Sequence, residues 1–218
     1  MATFALIHGG GGSAWDWHLL AAELRGRGHD VVAVDLPIED ESAGLLDYAD
    51  AVTEAVGDRR DLVVVAHSWG GFVGPLVCAR VPAELLVLVS AMIPAPGEPP
   101  SDWWANTGFE GKDMSDPVAL FLHDVPRDLA EELLSKSRDH ADKAFAEPWP
   151  LDAWPEVPTR FLLCRDDLFF TPGFMRGVVR DRLGITPDEI DGGHAPMLAR
   201  PGELADRLEG YLTGIEER

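Results

Sequence analysis

The chain has 218 residues, 46% of them hydrophobic and 26% charged, a composition that suits one soluble domain with a sizeable core. Its net charge of -20 argues against nucleic acid or an anionic membrane as partner, because both are polyanions. Its two cysteines, Cys78 and Cys164, each lie in an apolar stretch and make no disulfide framework, and the longest apolar run, residues 85–93, is too short to span a bilayer.

The chain opens on a strand, 3–8 (TFALIH), with no basic leader before it, so a cytoplasmic location is expected. The strand runs into HGGGGSAWDW, and these glycines admit two readings. Gly9, Gly11 and Ala14 fit G-x-G-x-x-A, the dinucleotide-binding fingerprint, and Asp35 closes the next strand, 31–36, about where a ribose-binding acid belongs. Alternatively the loop aims a backbone N–H at a developing negative charge and forms half of an oxyanion hole.

Helical spacing covers 15–26 and then 43–56, where Leu45, Tyr48, Ala49, Val52 and Val56 share one face. Strands follow at 62–67 and 85–90, separated by a helix over 70–80. After a long insertion come a strand at 160–164, a helix at 173–182, a weaker strand near 187–191 and a helix at 202–213. The strands are almost continuously apolar, which marks a mostly parallel sheet covered on both faces. The alternation predicts a doubly wound α/β fold with six strands.

Residues 94–158 interrupt the alternation and are too long for a loop inside a compact domain. The expected organisation is a core formed by 1–93 and 159–218, with 94–158 as an inserted helical lid. Its proline clusters, PAPGEPP and EPWPLDAWPEVP, predict stiff posts rather than flexible hinges. Its aromatics suit either lid core or the wall of a pocket; Trp103, Trp104, Phe121 and Trp149 are the expected pocket residues.

LVVVAHSWGGFVG, residues 62–74, reads as strand, sharp turn and helix start, with Ser68 at the turn. It is the nucleophile-elbow pattern G-x-S-x-G with Ala66 in place of the first glycine. A serine hydroxyl is a weak nucleophile and needs a base, a group that orients the base, and donors for the resulting anion. His194, after two glycines and before the last helix, is the candidate base, whereas His67 precedes the serine on its strand and is expected to face away from it. Asp166 and Asp167, just past a parallel strand, compete as the orienting acid. If the strand order reverses between the first and third strands, the glycine loop lies beside Ser68, which favours the oxyanion reading.

HGGGGSAWDW, AHSWGG, RDDLFFTP and GGHAPML, in this order and spacing, resemble the α/β-hydrolase superfamily over nearly the whole chain. Trp15, Trp17 and DDLFFTP are most similar to the small methylesterase and hydroxynitrile lyase branch and its bacterial relatives. The resemblance implies Ser68 as nucleophile, His194 as base, Asp167 rather than Asp166 as its orienter, and the N–H groups of Gly10 and Trp69 as oxyanion donors. It also implies a sheet without the superfamily's usual first two strands. The lyases of that branch carry Thr after the loop histidine and Lys after the catalytic histidine; here those positions hold Gly9 and Ala195, which favours ester hydrolysis.

A short-chain reductase would need Tyr-x-x-x-Lys, but Tyr48 and Tyr211 are followed four residues later by Val52 and Ile215. Other Rossmann enzymes escape this test, and a second rival is a ligand receptor on the same fold with little or no turnover. The expectation is therefore a serine esterase of small, largely apolar carboxylic esters, with neither metal nor organic cofactor.

Overall fold

The computed structural model describes residues 1–216. Six strands form one sheet: β1 (Thr3–Ile7), β2 (Asp30–Val34), β3 (Leu62–His67), β4 (Leu85–Val89), β5 (Thr159–Cys164) and β6 (Asp188–Ile190). The helices in chain order are α1 (His18–Gly26), α2 (Leu45–Val56), α3 (Gly74–Cys78), α4 (Trp103–Asn106), α5 (Pro117–Phe121), α6 (Arg127–Ser135), α7 (Lys143–Ala146), α8 (Pro172–Leu183), α9 (Pro196–Ala199) and α10 (Pro201–Glu216). Short 3-10 turns span Ala14–Trp17 and Ser68–Phe72.

The strand order is β2-β1-β3-β4-β5-β6 and every neighbouring pair is parallel. The period-2 alternation of side chains splits the core into two layers. Phe4, Leu6, Val63, Val65 and Val87 pack with α1, α9 and α10, while Ala5, Ile7, Val64, Ala66 and Leu86 pack with α2, α3 and α8. On α2 the predicted stripe is buried along its whole length, from Leu45 through Tyr48, Ala49 and Val52 to Val56. At about 1.5–3 kcal/mol for each fully buried Val or Leu side chain, this packing rather than intrinsic propensity holds the helix.

Three elements depart from the sequence expectation, the first being the helix predicted over 15–26, which begins as the 3-10 turn Ala14–Trp17 and becomes α-helical only at His18. The helix predicted over 70–80 is divided into the 3-10 turn Ser68–Phe72 and the five-residue α3. Pro75 lacks the N–H that a continuous helix would need and sits instead in the first turn of α3. The second strand ends at Val34 rather than at 36, because the Leu36 N–H turns out of the ladder and donates to His8 Nε2 at 3.1 Å.

The insertion 94–158 carries the four short helices α4 to α7. Its aromatic anchors are rooted in the main core. Trp103 donates its indole N–H to the Ile93 carbonyl at 2.9 Å, and Trp149 donates to the Phe72 carbonyl at 3.0 Å. A partly buried ion pair adds a further tie: Arg182 on α8 donates from Nη2 to the buried Glu98 Oε1 at 2.7 Å.

Candidate active site

The strand order reverses between β1 and β3, and a crevice opens at their C-terminal ends. β1 delivers the glycine loop to this crevice and β3 delivers Ser68. Ser68 has φ +50, a left-handed conformation rare for a residue with a side chain, and the turn projects the hydroxyl off the sheet. Two glycines make room for the turn. A Cβ on Gly71 would lie 1.9 Å from the Met92 carbonyl oxygen, and one on Gly74 would lie 2.9 Å from Ala66 Cβ. Gly74 thus provides the space that lets Ala66 stand where the elbow pattern has glycine.

Three side chains from separate parts of the chain converge. The Ser68 hydroxyl lies 3.0 Å from His194 Nε2, and His194 Nδ1–H donates to Asp167 Oδ2 at 2.7 Å. The other oxygen of Asp167 accepts the Phe169 and Phe170 N–H groups, each at 2.9 Å. With both oxygens accepting, the carboxylate fixes the ring orientation and the tautomer that presents a bare Nε2 to the serine. Asp167 and His194 are both buried. Phe121, Phe169 and Phe170 pack their rings 5.4–5.8 Å from the imidazole and shield it from water.

The neighbouring Asp166 does other work. Its Oδ2 accepts the Gly192 N–H at 3.0 Å, on the loop that carries His194, and does not contact the imidazole. His67 does not point away from the site: it borders the cavity, and its Nε2–H donates to the His194 carbonyl at 2.8 Å. Burial pushes the His67 pKa well below its usual value, so the ring is a neutral support.

His8 holds the glycine loop. Its Nδ1–H donates to the Gly9 carbonyl at 2.8 Å while Nε2 accepts from Leu36. Burial lowers its pKa to about 4 and keeps it neutral. Gly10 and Trp69 both line the cavity, and Trp69 sits in the first turn of its 3-10 segment, where the N–H has no intrahelical acceptor. Asp35, the ribose-binding candidate of the dinucleotide reading, has its carboxylate engaged by the Ala14 N–H at 2.7 Å.

The family described as alpha/beta hydrolase matches residues 4–207. The chain belongs to that alpha/beta hydrolase family. This alpha/beta hydrolase is 28% identical to methylesterase 7 of Arabidopsis thaliana, across 94% of each chain. It is 27% identical to polyneuridine aldehyde esterase of Rauvolfia serpentina, across 94% of this chain and 93% of that one. The crystal structure of polyneuridine aldehyde esterase superposes with a TM-score of 0.80 at 22% identity, covering 97% of this chain and 99% of that chain. A pyrethroid hydrolase from Sphingobium faniae JZ-2 superposes with a TM-score of 0.79 at 18% identity, covering 100% and 99%. At such identities the two superpositions concern the fold.

The cavity of this alpha/beta hydrolase holds about 400 Å³ and is walled mainly by apolar side chains, Met92, Leu122, Phe169 and Met197 among them. Trp104 and Phe121 from the insertion line it. Trp103 and Trp149 do not, which corrects the sequence expectation. Both are packed into the main core, and their indole N–H groups need the backbone acceptors found there. Three polar wall residues carried no sequence signal for a site. Asp16 caps the turn after the glycine loop through Ser13, and burial raises its pKa to about 6. Ser137 is the second. Lys136, the third, is engaged elsewhere, its ammonium lying over the Trp15 ring and 3.5 Å from Glu132.

Proposed function

We propose that the protein is a serine hydrolase of small, largely apolar carboxylic esters that works through an acyl-enzyme. The observation that carries this reading is the hydrogen-bonded series Ser68, His194, Asp167 at the floor of a cavity of about 400 Å³. His194 Nε2 takes the proton from Ser68 as the hydroxyl oxygen attacks the ester carbonyl. The N–H groups of Gly10 and Trp69 stabilise the tetrahedral anion, a role worth roughly 10²–10³-fold in kcat for each donor. The imidazolium then protonates the leaving alcohol. Water, activated by the same imidazole, attacks the acyl-enzyme and releases the acid. Asp167 holds the imidazole through its Nδ1–H and stabilises the imidazolium.

Esterase names among the relatives support the reaction class, and the apolar wall supports an apolar substrate. The chemistry uses only protein groups, so the reading calls on no metal or organic cofactor. The insertion serves as a lid that supplies part of the cavity's apolar wall through Trp104 and Phe121. Gly9 and Ala195 at the lyase-determining positions, with Lys136 drawn toward Glu132, favour hydrolysis over cyanohydrin cleavage. The strongly acidic surface fits neither nucleic acid nor an anionic membrane as partner, and among the described residues no helix is long and apolar enough to cross a membrane.

The test combines intact mass after an organophosphonate probe with turnover of p-nitrophenyl and methyl esters. The expected result is one adduct, absent in Ser68→Ala, together with steady turnover in the wild type. A Ser68→Ala protein that labels or turns over at the wild-type rate would overturn the assignment. Stable binding of ester without product release would instead identify a receptor.

A further inference from the structure

His194 stands at the end of Asp191-Gly192-Gly193, the loop between β6 and α9. Two adjacent glycines leave that backbone unusually free, so its conformation must be imposed from outside. Contacts to three successive residues impose it. Asp166 Oδ2 accepts the Gly192 N–H at 3.0 Å, Asp124 Oδ2 accepts the Gly193 N–H at 2.7 Å, and His67 Nε2–H donates to the His194 carbonyl at 2.8 Å. Asp166 and His67 belong to the core. Asp124 belongs to the insertion, on the connection between α5 and α6.

The contact is close and directional. A Cβ on Gly193 would lie 2.7 Å from Asp124 Oδ1 and 2.8 Å from His123 Nε2, so the loop lies flat against this connection with no room for a side chain. Next to Asp124, His123 Nε2–H donates to the Asp166 carbonyl at 3.0 Å, which joins the insertion to the core strut of the same loop. Asp124 Oδ1 is buried and has no hydrogen-bond partner among the described residues, so the whole grip on the loop passes through Oδ2.

We propose that Asp124 is a positioning residue for His194, so that the insertion sets the geometry of the base as well as roofing the cavity. This rests on the reading of His194 as the base. Removing the Oδ2 acceptor frees the Gly193 peptide to rotate and carries the imidazole out of line with Ser68, while substrate contacts remain.

The test compares Asp124→Ala and the near-isosteric Asp124→Leu with Asp124→Asn, which keeps an acceptor oxygen. With p-nitrophenyl acetate, Asp124→Ala and Asp124→Leu should lower kcat roughly 10- to 100-fold, the scale of a misplacement of about 1 Å, with KM nearly unchanged. Asp124→Asn should restore most of the loss. By NMR, the Gly193 amide should be protected from exchange in wild type and Asp124→Asn and unprotected in Asp124→Ala and Asp124→Leu. Full kcat in a folded Asp124→Leu protein would overturn the proposal, as would an Asp124→Asn protein no better than Asp124→Leu. The exchange measurement does not depend on ester turnover. If the wild type hydrolyses no ester, loss of Gly193 protection in Asp124→Leu still supports the positioning role, and unchanged protection overturns it.

Discussion

Asp166 and Gly192 hold each other in both directions. The Asp166 carboxylate accepts the Gly192 N–H at 3.0 Å, and the Asp166 N–H donates to the Gly192 carbonyl at 3.0 Å. The Asp166 side chain therefore serves the backbone of the histidine loop, while its neighbour Asp167 serves the ring.

The two acids should therefore respond differently to amidation. In Asp167→Asn the amide would donate to Nδ1, and the imidazole would adopt the tautomer with its proton on Nε2, facing Ser68. The expected loss in kcat is about 10⁴-fold by analogy with known triads. Asp166→Asn keeps an oxygen for the Gly192 N–H and should lose less than about 10-fold, the lower end of what displaced catalytic geometry costs. Steady-state kinetics on one ester decide it, and the reverse ranking would exchange the roles.

Trp103 and Trp104 are adjacent in sequence but face different surroundings. Trp103 is fully buried with its N–H on the Ile93 carbonyl, and Trp104 borders the cavity. Trp103→Ala should destabilise the protein by about 3–5 kcal/mol, as large aromatic deletions from a core do. Trp104→Ala should change the acyl-length or alcohol preference while Ser68 still reacts with a small phosphonate. Thermal melts and an ester panel separate the two, and an unchanged panel for Trp104→Ala would refute its specificity role.

Buried histidines make stability depend on pH. Burial holds His8 at about 4 against an ordinary 6.5, so as pH falls the unfolded chain takes up this proton first. The contribution of His8 is complete above pH 6.5 and is lost as pH falls through about 4, amounting to about 3 kcal/mol. Burial also lowers His140 to about 4, with the same sign. Asp16 opposes them, because burial raises its carboxyl from 3.8 to about 6 and its contribution is lost as pH rises through that value. His67, which burial also lowers, adds to His8 and His140, and these three histidines outweigh one acid, so Tm should climb from pH 4 to 6.5. Both ring nitrogens of His140 are buried among Tyr48, Trp69 and Phe145, with no hydrogen-bond partner among the described residues. His140→Phe should therefore raise Tm at pH 5 more than at pH 7.5; an equal rise at both would show that its titration is not linked to folding.

What the sequence by itself determined was what local rules can express. Runs of Val and Leu at strand length, the one-face stripe of α2 and the Ala-x-Ser-x-Gly turn are visible without a partner, because strand alternation, helix periodicity and turn sterics act within a few residues. Ser68 and His194 each stood out in a short motif, whereas Asp166 and Asp167 are adjacent and no local rule separated them; only the family resemblance preferred Asp167. Side-chain direction and long-range pairing were decided only by the tertiary structure. Nothing local distinguishes Trp103, whose indole N–H needed a backbone acceptor in the core, from Trp104, which faces the cavity. Nothing near Asp124 announces that it meets Gly193, 69 residues away in the chain. His67 was misjudged because its partner, the His194 carbonyl, is 127 residues distant. Such contacts depend on how the sheet order and the insertion bring remote backbone together, and a buried polar group must take whichever partner that packing supplies.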